Sequence, residues 1–144
     1  SELLSYATRH EQANGALYLF IQDSIEWLDH AKGAIANFHI VFMIQLSFHL
    51  GFMPNIESGM SGDYFDLVDG CFAAHVPSHV HYLNKEDSMR LVSLFRLDYK
   101  TMHLYTMSRI ERNRCVEVIL EYYKLHLPDF PEMKSFSVLQ ELFA

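Results

Sequence analysis

The sequence predicts a mainly α-helical bundle with one small β-hairpin set into it. Three observations lead to that reading. First, apolar residues recur at three- and four-residue steps through "NGALYLFIQDSIEWLDHAKG" and again through "RIERNRCVEVILEYYKLHL", the period of an amphipathic helix. Second, a run from Ala34 to Met53 holds no Asp, Glu, Lys or Arg, as a helix buried at the centre of a bundle would. Third, Asp69-Gly70 stands between the apolar and aromatic residues of "YFDLVDGCFAA", a strong short-range hairpin signal.

Taken in order, "SELLSYATRH" reads as the remnant of an earlier helix. In the next helix Leu17, Phe20, Ile21, Ser24, Leu28 and Ala31 share a face, with Trp27 at its edge. Asn14 offers a cap at its start and Gly33 a stop at its end. The uncharged run follows. Gly51 suits a left-handed cap there, and Pro54 prevents the helix from resuming. "ESGMSG" is a flexible loop by composition. The Asp69-Gly70 pair is expected as a two-residue turn, and "VPSHVHYL" as a connector, because Pro77 bars a continued helix or a central strand. Asn84 is a plausible cap for "KEDSMRLVSLFRL", with Asp87 placed to reach back. "DYKTMHLYTM" carries only an ambiguous signal for a short helix. Ser108 and Glu111 form the S-x-x-E capping box of the next helix. On that helix Cys115, Ile119, Tyr122 and His126 share a face flanked by Val118 and Tyr123, and Arg109, Arg112, Arg114 and Glu121 point more outward. A Pro-broken link leads to a last short helix with Phe136, Leu139 and Phe143 inward.

The bulk numbers fit one domain over residues 1–144. Half of the residues are hydrophobic and 20% are charged, enough to build a core. The charge-free run is long enough to cross a bilayer. It carries Asn37, His39, Gln45, Ser47 and His49, however, and the mean hydropathy of the chain is only +0.01, so it reads as a core helix. Two cysteines do not make a disulfide framework; Cys71 and Cys115 read as reduced thiols of a cytoplasmic protein. The N-terminus lacks the basic-then-apolar pattern of a signal peptide and an initiator methionine, which suggests a piece of a longer protein.

Four candidate chemistries follow. Cys71, His75, His79 and His81 supply zinc-ligand types in C-x3-H-x3-H-x-H. Structural zinc uses two close pairs on separate arms, and "MPNIESGMSGDY" provides no second pair, so the three histidines read as loop residues packed on the bundle. Cys115 lies on an apolar helix face, and Cys71 follows a turn without an evident base; both read as filler and not as nucleophiles. His39 and His49 read as hydrogen-bonded core histidines. No H-E-x-x-H, D-x-D or glycine-rich phosphate loop occurs, so no enzyme is expected. The formal net charge of −7 argues against a nucleic-acid surface over the whole domain. Seven basic residues nonetheless face four acidic ones between Arg90 and Lys124, a basic section that points to an anionic partner. Arg109, Arg112, Arg114 and Lys124 are the candidate rim, chosen from charge placement alone.

"ANFHIVFMIQLSFHLGFMPN" resembles the helix ending in "LGF-x-P" of the C-terminal domain of RecO, the bacterial recombination-mediator DNA repair family. "YFDLVDGCF" is similar to that family's Y-F-D strand and turn, and "HLPDFPEMKSFSVLQELF" to its closing segment. The order is the same and covers nearly the whole chain. The resemblance implies a C-terminal helical domain whose N-terminal OB-fold is absent here, and a non-enzymatic role in DNA damage repair. It also implies RecR and the acidic, apolar tail of single-strand-binding protein as partners, assistance to annealing and RecA loading, and DNA contact mainly through the missing N-terminal domain. Relatives carry C-x2-C pairs that hold zinc. Here "NIESGMSG" replaces the first pair and only Cys71 with His75 lies near the second. The resemblance thus implies a zinc-type hairpin without its metal, held by Tyr64, Phe65, Leu67 and Phe72, and no cofactor. The competing readings are an unrelated helical binding or sensor module with zinc on Cys71, His75, His79 and His81, and a thiol enzyme.

Overall fold

A computed structural model describes residues 15–31, 35–57 and 62–127. Among them four α-helices pack together with a three-stranded antiparallel sheet set against one side, so the expected helical bundle with a β insertion is what forms. The helices are α1 (Gly15–His30), α2 (Phe38–Leu50), α3 (Lys85–Phe95) and α4 (Arg109–His126), and a single 3₁₀ turn spans Met102–Leu104. The strands are β1 (Tyr64–Asp66), β2 (Cys71–Ala73) and β3 (Tyr82–Leu83). Asn14, Gly33, most of "ESGMSG", the "SELLSYATRH" helix and the helix with Phe136, Leu139 and Phe143 lie outside the described residues.

Helix α2 is the centre. Ile40, Val41, Met43 and Leu46 are each at most 1% exposed, so the charge-free run is buried nearly all round, as its composition requires. It starts at Phe38, later than the run itself. Asn37 donates from Nδ2 to the carbonyls of Met102 (3.0 Å) and Tyr105 (2.7 Å), which ties the helix start to the 3₁₀ turn. Gly51 ends α2 at φ 89°, and its N–H and that of Phe52 return to Phe48 O and Ser47 O; only glycine adopts that conformation without a Cβ penalty. No helix among the described residues is long and apolar enough to cross a membrane.

Helix α4 completes the bundle. Ser108 Oγ accepts from Glu111 N–H (3.1 Å), and Ser108 N–H donates to Glu111 Oε1 (2.9 Å), the reciprocal capping box. Val116, Ile119, Leu120 and Tyr123 pack with Leu17 of α1, α2 and Leu94 of α3 in one core cluster. Val118 and Tyr122 pack in a second cluster with Phe65, Leu67, Leu83 and Leu91. The Tyr123 hydroxyl donates to Met43 O and that of Tyr122 to Phe52 O.

The sheet runs β2-β1-β3, with Phe65 opposite Phe72 and Leu83. Phe65 is fully buried, and Phe72 meets it edge-on at 5.2 Å. Phe65, Leu67 and Phe72 pack on the helices as expected, and Tyr64 instead stands edge-on to Tyr82 of the neighbouring strand. Three details differ from the sequence reading. The turn has four residues, 67–70, because the Asp66 carboxylate accepts the N–H groups of Val68 (2.9 Å) and Asp69 (3.1 Å) and opens it into an Asx turn; Gly70 then closes it at φ 68°. The connector holds an unexpected third strand, which Ser88 secures by accepting Phe65 N–H and donating to Leu83 O. Asn84 does cap α3 by accepting Asp87 N–H (2.8 Å), but the Asp87 carboxylate turns to two arginines.

Replacing Ser108 by Ala removes half of the capping box and is expected to lower the unfolding free energy by about 1 kcal/mol. Urea denaturation measures this; an unchanged midpoint would contradict the cap's role.

Candidate docking site at the α3–α4 cleft

The four basic residues singled out from the sequence do not form one rim. Arg109 and Lys124 are exposed near opposite ends of α4, about 22 Å apart at ~1.5 Å per residue. Arg112 departs from the expectation that it points outward. It is half-buried, and its guanidinium donates to Met107 O at 2.9 Å, because its position falls on the side of α4 that turns to the core. Its charge also acts on His39. Burial, and then Arg112, push that imidazole down to about 4 from 6.5.

Arg114 lines a cleft. Between α3 and α4 an apolar floor of Leu91, Leu94, Cys115 and Val118 is edged by Asp87, Arg90 and Arg114. Arg114 donates to Asp87 Oδ2 from Nη2 (3.2 Å) and Nε (3.4 Å) and stands 3.6 Å from Glu117. Arg90 lies 3.5 Å from Asp87 Oδ1, 3.1 Å from Glu111 and 3.7 Å from Glu86. The capping-box bonds from Ser108, together with Arg90, hold the Glu111 carboxyl below its ordinary range. Both guanidinium groups are held in ion pairs, and the apolar side chains beneath them are each at most 6% exposed. The sequence reading placed Arg90 in the basic section and Asp87 at the α3 cap but not at this site; their i, i+3 spacing on α3, beside the Arg-rich start of α4, was the available signal.

The cysteine in the floor is not a nucleophile in this state. Burial pushes the Cys115 thiol up to about 11, and its sulfur donates to Met107 Sδ at 3.7 Å. A protonated thiol at neutral pH is unreactive.

The hairpin histidines are tied to protein partners. His79 Nε2 meets the Asp66 carboxylate at 3.0–3.1 Å, and its Nδ1 accepts the His81 N–H at 3.0 Å. Accepting at Nδ1 places the ring proton on Nε2, so neither nitrogen offers a lone pair to a metal. His81 Nδ1 lies 2.9 Å from Glu121 Oε1, and His75 is exposed. Among the described residues no group of three or more His, Cys, Asp or Glu is placed to hold a metal ion. The arrangement therefore does not fit a four-ligand zinc on Cys71, His75, His79 and His81. Burial would raise the Asp66 carboxyl, but bonds from Asp69, His79 and Val68 hold it below its ordinary value.

The fold is a mainly helical domain with a small antiparallel sheet set into it and a narrow crevice between α3 and α4 edged by Asp87, Arg90 and Arg114. The chain belongs to the family described as "Recombination protein O C terminal", which it matches over residues 1–135. It is 46% identical over 144 residues to a "DNA repair protein RecO" of Phocaeicola vulgatus, and 47% identical to one of Bacteroides fragilis. A third, from Porphyromonas gingivalis, is 33% identical over 145 residues. These alignments take in 99–100% of this chain and 59–60% of each relative, so the chain spans about three fifths of the length of the curated relatives it matches. No solved structure matches the chain.

His39 gives the domain an acid-sensitive stability. The unfolded chain takes up the imidazole proton near 6.5 and the folded chain only near 4. Stability is therefore lost as pH falls between those values, by up to about 1.4 kcal/mol per pH unit. His39→Gln is expected to flatten that slope in denaturation curves at several pH values; an unchanged slope would contradict the assignment.

Proposed function

We propose that this domain is a non-catalytic interaction platform of a bacterial DNA repair and recombination mediator acting in the cytoplasm. Its α3–α4 cleft receives an acidic peptide tail ending in apolar residues, the chemistry of the single-strand-binding protein tail. RecR is the second partner implied by the family resemblance. DNA contact, annealing and assistance to RecA loading belong to the whole protein, with DNA contact mainly through the N-terminal part. The observation that carries the reading is the pairing of Arg90 and Arg114 over Leu91, Leu94 and Val118. Tail carboxylates would lie against the guanidinium edge. The net charge of −7 supports assigning phosphate contact elsewhere.

A labelled aspartate-rich peptide ending in Leu-Phe, titrated against the chain and followed by fluorescence anisotropy, tests the cleft. Arg114→Glu is expected to weaken binding about five- to tenfold, and raised salt to weaken it further. Lys124→Glu, far along α4, is expected to leave affinity within about twofold. Binding indifferent to Arg114 and to salt would overturn the proposal.

The hairpin works without a metal in this reading. Purified protein is expected to carry far less than one zinc per chain and to keep its thermal midpoint in a chelator. One zinc per chain, lost with the fold on chelation, would restore the histidine-bound metal alternative.

A further inference from the structure

We propose that a second copy of this chain docks on the first through a two-fold contact, in which the acidic outer side of α1 in each copy meets the basic 100–110 segment of the other. None of the residues involved lines the α3–α4 crevice.

The two strips carry opposite charge, and neither charge is compensated. Helix α1 holds Asp23, Glu26 and Asp29, all exposed, and no Lys or Arg. Residues 100–110 hold Lys100 and Arg109, both exposed, and no Asp or Glu. None of these five side chains is in an ion pair among the described residues. The acidic residues that flank the basic segment are already committed. The Asp98 carboxylate accepts the N–H groups of Lys100 and Thr101 and the Thr101 hydroxyl, and Glu111 serves the Ser108 cap and Arg90.

Each strip also displays apolar side chains that the fold leaves uncovered. Tyr18 and Ile25, two turns apart on one line of α1, are 65% and 48% exposed, and Leu104 and Ile110 are 72% and 81% exposed. Uncovered apolar groups among unpaired charges of one sign suit a partner with the opposite sign and its own apolar groups. Each strip is that partner for the other.

The strips are neighbours on a rigid surface. The Tyr99 hydroxyl donates to Ser24 Oγ at 2.8 Å, and its ring stacks on Trp27 at 5.1 Å, so the chain leans on α1 where it enters the basic segment. Asn37 holds the carbonyls of Met102 and Tyr105, so Leu104 is presented from a pinned turn. A negative strip beside a positive one is complementary to itself after a two-fold rotation, and such a contact closes at two copies. The two most exposed apolar side chains of the basic segment are aliphatic, whereas a single-stranded nucleic acid asks for rings on which its bases stack.

Sedimentation velocity over a concentration series tests this. Wild type is expected to move from monomer toward dimer as its concentration rises to about 100 µM, and added salt to reverse the shift. Lys100→Glu with Arg109→Glu, and separately Asp23→Lys with Glu26→Lys, are each expected to weaken dimerisation at least about tenfold. Mixed together, these two variants are expected to pair, because each offers the charge that the other lacks. All four positions are exposed, and thermal midpoints check that each variant keeps the fold. Wild type that stays monomeric throughout overturns the inference without recourse to any variant. A dimer that the reversals leave intact, or reversals that weaken it without recovery on mixing, also overturn it. A single-stranded oligonucleotide that binds a monomeric wild type and is lost on K100E with R109E assigns the segment to nucleic acid and overturns it as well.

Discussion

The structure depends on one constraint: helix α4 has to bury most of its circumference. Cys115, Val116, Val118, Ile119, Leu120, Tyr122 and Tyr123 are each at most 5% exposed. No single neighbour can cover so wide a surface, so α4 sits between two core clusters, one built with α1 and α2 and the other with the sheet. Two tyrosine hydroxyls anchor it to α2 and to the segment that follows α2. The hairpin is docked through the same helix: His126 lies 2.7 Å from Leu67 O, and His81 pairs with Glu121. A Cβ on Gly70 would stand 3.0 Å from the Tyr122 hydroxyl, and its φ of 68° is strained for a residue with a side chain, so glycine is favoured where that turn meets α4.

Burying α4 also decides what its basic residues can do. Arg112 lies on the covered side and is spent on Met107 O. Arg109 and Lys124 stay on the surface near the two ends. Arg114, on the open side next to α3, meets Arg90 across the groove between the two helices. A charge run that looked continuous in sequence thus divides into a core anchor, two exposed charges near the helix ends and an arginine paired with α3.

Much of this was legible beforehand, and the reason differs by element. Capping boxes, left-handed glycines and helical periodicity are local signals, so Ser108, Asn84, Gly51 and the face of α1 could be read directly, whereas Val116, Leu120 and Arg112 of α4 were missed because two partners cover that helix. The third strand could not. It has two residues, and Ser88, 23 positions from Phe65, secures it. The expected two-residue turn failed for a similar reason: Asp66 offers its carboxylate to the turn, and that competing bond widens the loop. The cleft was legible by half, because Arg114 was named but Arg90 and Asp87 belong to it only through the packing of α3 on α4. Sequence spacing suggested a zinc set in the 71–81 segment and also why it was incomplete. The geometry adds that His79 has both nitrogens engaged by the protein.

Apolar packing around α4 joins the hairpin to the bundle, and we propose that it does so without an ion. Amide hydrogen exchange with and without a chelator tests this most directly. The hairpin amides of Phe65 and Leu67 are expected to open with the central amides of α4, at the same free energy and independently of chelator. Hairpin amides that exchange on their own, or that lose protection only when metal is removed, would contradict it.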